Sequence, residues 1–328
     1  MRIIEVIADV GHLDTFKSLA SQLELVDFWH GATDESGRCN MHFLVQPDQR
    51  QRVMDSLQGI LQSSENAHII LHTPEAVWPS TRDEDNKPNS SSSTITREEL
   101  YLTIEKGAHI NGTFILLVIL STIVVAIGLI KNNVAVVIGA MVIAPLLGPN
   151  LALSLSAALG DKKLMVSALR SNLIGVSISF ALCWLLGLLW TDTLTSHELL
   201  SRTEVGLDTV ILALASGLAA ALSMTTGLSS VLVGVMVAVA LLPPAATAGI
   251  MLGAGYNTLA SGAMLLLAVN VVCVNLTAQL IFLYKGIRPR TWLEKKKARQ
   301  SYSLFIIFWI VLLAILLSVI YIRLVLTG

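Results

Sequence analysis

Two short stretches hold most of the residues in this chain that could do chemistry. In GAMVIAPLLGPN, residues 139–150, the residues Pro145, Gly148, Pro149 and Asn150 interrupt an apolar run, and Ser154 follows one turn later. In VGVMVAVALLPPAATAG, residues 233–249, Pro243, Pro244 and Thr247 do the same. A proline lacks the backbone donor and clashes with the preceding turn, so each stretch is expected to break a helix. The N–H groups of a restarting helix attract anions. Unpaired backbone in hydrocarbon is tolerated only against protein or a water-filled cavity. The chemistry implied is binding: a small-molecule solute, with an anion among the candidates, held at these two breaks. Asn270 and Asn275 lie inside the apolar run 258–284 and extend the candidate substrate-binding set, and Thr277 shares the Asn270 face. For the asparagines, hydrogen bonding between helices is the competing reading.

Catalysis is not expected. No nucleophile–base pair, zinc signature or phosphate-binding glycine loop is present. No Asp or Glu falls inside an apolar run, so a carboxylate proton relay is not expected either. The chain is read as a non-enzyme with no catalytic residue, no cofactor and no metal.

Composition sets the frame for these residues. Of 328 residues, 54% are hydrophobic and 14% charged, against about 25% charged in ordinary soluble domains. Mean hydropathy is +0.69. Residues 110–327 contain several apolar runs long enough to cross a bilayer as helices. A net charge of -1 gives no reason to expect a nucleic-acid partner. The start, MRIIEVIADV, reads as a strand and not as a signal peptide. Cys39, Cys183 and Cys273 are isolated and imply neither a disulfide framework nor a metal site.

Residues 1–78 read as a β-α-β-β-α-β head, the ferredoxin-like plan. Its strands are RIIEVIADV, DFWHGAT, RCNMHFLV and AHIILHT, and its helices are Leu13–Leu25 and DQRQRVMDSLQGILQ. His68 and His72 share one face of the last strand. With no cysteine or carboxylate completing a ligand pattern in sequence, they read as a solvated edge. An effector at this head is a possible partner. Residues 79–96 are a Ser-rich polar linker, and 97–109 form a short helix whose Leu100, Ile104 and Ala108 stripe is expected at the membrane surface.

The membrane part repeats. Residues 136–164 align without a gap on 231–259, an offset of 95, and nine of the 29 pairs are identical, among them Gly139/Gly234, Pro149/Pro244 and Gly160/Gly255. Each half carries three apolar segments: 110–190 is the first repeat and 208–284 the second. A basic segment, 285–302, and a final span, 303–328, follow. Residues 285–299 hold seven Lys and Arg against one Glu, whereas 191–208 hold four acidic residues against Arg202. The positive-inside rule then puts the basic segment and Asp161–Lys163 in the cytoplasm and the acidic loop outside. Three crossings per half invert the second repeat. The expected fold class is an α-helical integral membrane protein of about seven spans, with an inverted three-helix repeat of broken helices and a cytoplasmic ferredoxin-like α+β head.

The motifs GAMVIAPLLGP and VGVMVAVALLPPA, behind a soluble head, resemble the bacterial and archaeal membrane proteins grouped as domain of unknown function 389. The resemblance implies a membrane location and supplies no catalytic residue. A transporter or facilitator with a midplane site, gated by the head, is the expectation. A channel, or a membrane-anchored sensor or scaffold, is the alternative. Gly249 and Gly253 form a small-residue face suited to close packing, and a homo-oligomer is expected. The charge count makes a checkable claim: in whole cells an impermeant thiol reagent labels His197→Cys from outside, and Lys296→Cys only after the membrane is opened. The reverse pattern would overturn the orientation.

Overall fold

The computed structural model describes the chain except residues 47, 63, 65, 73, 75–95, 191–195, 227–229, 288–291 and 328; for 230–240, 292–302, 324, 326 and 327 it describes the helical backbone alone. The polar linker and the side chains of the basic segment therefore lie outside the described residues. The chain divides into two compact units, Met1–Arg97 and Glu98–Gly328.

In the first unit the order is β1 (Arg2–Asp9), α1 (Leu13–Gln22), β2 (Asp27–Thr33), β3 (Arg38–Val45), α2 (Arg50–Leu61) and β4 (His68–His72). The sheet runs β2-β3-β1-β4 with every pairing antiparallel. Strand alternation places Ile4, Val6 and Ala8 of β1 and Met41, Phe43 and Val45 of β3 on one face, where they are buried with Phe16, Val53 and Leu57 of the helices. The β2–β3 turn is pinned by Asp34. Its carboxylate accepts from the Ser36 hydroxyl at 2.6 Å and the Arg38 N–H at 2.8 Å. These bonds, the Ser36 hydroxyl first, pull Asp34 down to about 2.

His68 and His72 both sit at exposed positions of β4. The carboxylate missing from their stretch of sequence comes from the neighbouring strand, as His72 Nε2 lies 2.7 Å from the Glu5 carboxylate. His42 Nε2 lies 3.6 Å from the other Glu5 oxygen, and Trp29 stacks flat on His42. Among the described residues no group of three His, Cys, Asp or Glu is arranged to hold a metal.

The second unit is helical: α3 (Arg97–Ala108, whose first residue belongs to the first unit), α4 (Gly112–Ile130), α5 (Val134–Ile143), α6 (Leu147–Leu159), α7 (Lys162–Leu189), α8 (His197–Leu200), α9 (Leu207–Thr226), α10 (Ser230–Gly253), α11 (Asn257–Tyr284) and α12 (Trp292–Thr327). Among the described residues five helices are long and apolar enough to cross a membrane, or six if the bent pair α5–α6 is one span. Asn111 and Asn133 cap α4 and α5 by accepting from the N–H groups of Phe114 and Val136.

The offset of 95 recurs in the element ends. α4 begins at Gly112 and α9 at Leu207, and α7 spans Lys162–Leu189 where α11 spans Asn257–Tyr284. Gly160 and Gly255, at φ of 72° and 84°, follow α6 and α10. Inside each half the helix crossing falls at matched positions. Thr122 of α4 bonds Ser179 of α7 at 2.8 Å, and their counterparts Gly217 of α9 and Val274 of α11 are packed backbone to backbone.

One expectation is corrected. α5 and α6 are bent by 54°, but α10 runs unbroken through Pro243 and Pro244. The cause is Pro145, not Pro149. A proline disfavours the helical region for the residue before it, and Ala144 is extended at φ -67°, ψ 121°. Pro149 lies in the first turn of α6, where its missing donor would be unpaired anyway. The second repeat carries Ala240 where the first carries Pro145, and α10 stays helical through Pro243 and Pro244 although the same preference acts on Leu242 and Pro243.

Close backbone packing fixes the unit. The Leu100, Ile104 and Ala108 stripe of α3 is buried, and Gly107 meets Gly148 at the start of α6. Tyr101 donates to Asp161 at 2.8 Å, and burial with that carboxylate raises its hydroxyl to about 12, so it stays a donor at neutral pH. Gly249 and Gly253 pack on Phe180, Cys183 and Trp184 of α7, so this small-residue face is filled within the chain. A Cβ at Gly148 would lie 2.6 Å from the Gly107 carbonyl oxygen, whereas one at Gly139 meets nothing within 4 Å. Gly148→Ala is expected to destabilise the protein by about 1–3 kcal/mol and Gly139→Ala to leave it unchanged, as read by thermal unfolding in detergent. Equal behaviour of the two would contradict the close approach.

Candidate functional site

The bend at Pro145 sends α6 along α11. On α6, Asn150 and Ser154 are four apart and so share a face; both are fully buried. Asn275 on α11 meets them both. Ser154 Oγ donates to Asn275 Oδ1 at 2.8 Å. Asn275 Nδ2 donates to Asn150 Oδ1 at 2.7 Å and to the Val271 carbonyl of its own helix at 2.8 Å. Asn275 is thereby satisfied at both ends.

Its neighbours are not. Asn150 Nδ2 is buried without a partner. One turn beyond Asn275, Gln279 is 0% exposed, and neither its Nε2 nor its Oε1 has a partner. Trp309 of α12 packs with Val272 and Leu276 of α11 and Leu153 of α6, and its Nε1 is also unpartnered. Three donors and one acceptor on α6, α11 and α12 thus stay unsatisfied. Buried polar atoms in proteins are nearly always paired, so such a group is a marked exception.

The remaining sequence candidates lie elsewhere. Pro145 is half-buried at the bend, and Gly148 and Pro149 form the first turn of α6 against Gly107. The α6 N-terminus, expected to face an anion, is therefore seated on protein backbone. Pro243, Pro244 and Thr247 are buried in α10; the Thr247 hydroxyl has no partner and is not bonded to the cluster. Asn270 is buried on α11, turned about 140° from Asn275 onto the Thr277 face, which packs on Gly217 of α9.

Gln279 and Trp309 were missed by sequence reasoning. Gln279 had a signal, since two amide side chains four apart in an apolar helix share a face. Trp309 had none, because an indole among leucines reads as packing.

The contact that carries this cluster has a counterpart. With the offset of 95, Ser154 corresponds to Gly249 and Asn275 to Phe180. Gly249 of α10 packs on the Phe180 carbonyl of α7. The second helix of each half therefore packs on the third helix of the other half, at matched positions. One crossing is polar; the other is a glycine against backbone.

The family model described as domain of unknown function 389 matches residues 141–276, from the end of α5 to one residue past Asn275. An uncharacterized protein of Methanocaldococcus jannaschii is 35% identical over 272 residues, which is 83% of this chain and 84% of that protein. The chain belongs to the domain of unknown function 389 family. No solved structure matches it. For this family member the polar crossing makes a sharp stability claim. Asn275→Ala strands Asn150 Oδ1 and the Ser154 hydroxyl and is expected to cost about 1–3 kcal/mol. Thr277→Val, whose hydroxyl bonds carbonyls of its own helix, is expected to be near neutral. Thermal unfolding in detergent reads both, and equal losses would sink the assignment.

Proposed function

We propose that the helical unit lies in a cell membrane and moves a small polar solute across it, through a site formed by Asn150, Ser154, Asn275 and Gln279. The observation that carries this reading is the set of unpartnered buried amide groups, Asn150 at the α6–α11 crossing and Gln279 one turn beyond Asn275 on α11. Polar side chains inside spans are costly and usually serve a pathway or a partner. Here they form no ion pair and no metal site among the described residues. Because the site is buried, solute entry requires α6 or α12 to move.

The repeats are proposed to be inverted. Two contacts support this. Ser196, just before α8, and Glu198 of α8 bond Leu129 and Asn132 at the end of α4, so the segment that leads into α9 starts from the end of its counterpart α4. The reciprocal crossings at Ser154/Asn275 and Gly249/Phe180 are the pattern of a two-fold axis, in which patch i meets j and j meets i. With the basic segment in the cytoplasm, the site lies toward the inner side. Asn275 is about 27 Å along α11 from Asn257 and about 14 Å from Tyr284. Inverted repeats that meet at a substrate site are a recurrent transporter plan. The head is proposed to regulate passage by taking an effector on its open sheet face, beside Trp29, His42 and Glu5.

Vesicles reconstituted with the full chain test this reading. They are expected to take up at least one member of a panel of small neutral and anionic solutes faster than protein-free vesicles, and Asn150→Leu is expected to remove most of that excess. A panel with no excess uptake, in protein shown to be folded and inserted, would refute it.

A further inference from the structure

We infer that the junction of α6, α11 and α12 binds an uncharged solute of the amide class, such as urea or a small carboxamide, in preference to an anion. The inference rests on the transport reading above and narrows its substrate.

The hydrogen-bonding groups decide the class. The unsatisfied donors are Asn150 Nδ2, Gln279 Nε2 and Trp309 Nε1, and the unsatisfied acceptor is Gln279 Oε1. Asn150, Gln279 and Trp309 are 1%, 0% and 8% exposed. A simple anion can take the N–H groups but offers nothing to Gln279 Oε1. An amide offers both. Its N–H and C=O can face the Gln279 side chain in a pair of antiparallel hydrogen bonds.

Charge points the same way. The described buried polar residues of the helical unit are Ser, Thr, Asn and Gln, with no ionisable side chain among them. An anion moved there would lose its hydration without meeting a cation, which is far more costly than burying a neutral amide. The other source of positive potential, the α6 N-terminus, is occupied by Gly107 of α3. The repeat correspondence adds position. Gln279 stands where Trp184 stands in the first half, and Trp184 packs on Gly253, the counterpart of Ala158. Gln279 thus continues the Asn275 face along α6.

The test uses the full chain in phospholipid vesicles. Acetamide, urea and water permeation are read by stopped-flow light scattering, and chloride and nitrate by flux through the same vesicles. Acetamide permeation is expected at about ten times the protein-free rate, falling to that baseline in Gln279→Leu and Gln279→Met, while chloride and nitrate remain at baseline. Removing an unpartnered buried amide relieves a desolvation penalty. Both variants should therefore unfold about 2–4 °C higher than the parent. If one variant does not fold, the other carries the test. The inference is overturned if water alone permeates, if chloride or nitrate flux depends on Gln279, if amide flux ignores Gln279, or if both variants unfold at lower temperature, which would mean that the amide is bonded in the native fold. Anion flux without amide flux sinks the amide class and leaves the transport reading standing; no flux of any solute sinks both.

Discussion

Pro145 turns α6 away from the line of α5, and on that bent course Asn150 and Ser154 reach Asn275. The chain of cause is short. A proline disfavours the helical region for Ala144, α5 ends at Ile143, and the next helix starts four residues later at 54°. Gly107 and Gly148 then let α3 close over the new helix start, because neither carries a side chain to hold the backbones apart. The first turn of α6, which would otherwise leave unpaired donors, is covered by protein. What stays unpaired lies further along, at Asn150, Gln279 and Trp309.

The sequence carried more of the fold than of the site. The β-α-β-β-α-β order followed from alternation and turn residues, and the offset of 95 foretold matched helix ends to within a residue or two. The break in α10 was the error. Pro149 and Pro244 are the paired prolines, but Pro149 sits in the first turn of α6, where it breaks nothing, and Pro244 lies inside α10, which stays unbroken. The residue that matters, Pro145, is the unpaired one. At the repeat offset it stands opposite Ala240. Partners across the chain were a different matter. No periodicity tells Asn275 that it will meet Asn150, 125 residues away, or Glu5 that it will meet His72 from a neighbouring strand. Those pairings come from packing of whole elements.

Of the two matched crossings, the one between α6 and α11 holds the candidate site, and the repeat explains why. Reciprocal crossings give both halves the same scaffold, and the residues at the crossing decide what each does. At Gly249 a missing side chain brings α10 onto the α7 backbone, and the crossing is closed by contact alone. At Ser154 the same position carries a hydroxyl, its partner carries an amide, and α6 arrives bent. Duplicated architecture with divergent chemistry at matched positions places the specific chemistry at the departure from symmetry.

The energetics argue against a purely structural role for that departure. Side-chain hydrogen bonds between membrane helices contribute on the order of 0.6 kcal/mol each. Each buried polar atom left unpartnered costs about 1–3 kcal/mol. The α6–α11 crossing makes two such interhelical side-chain bonds and leaves Asn150 Nδ2 and both ends of the Gln279 amide unpaired. As packing it is a net loss, and the Gly249 crossing shows that the same fold closes well without polar groups. A glycine and leucines at positions 154, 275 and 279 would hold the helices together at lower cost. Under the proposed function, a solute at the crossing would satisfy these amides while it is there.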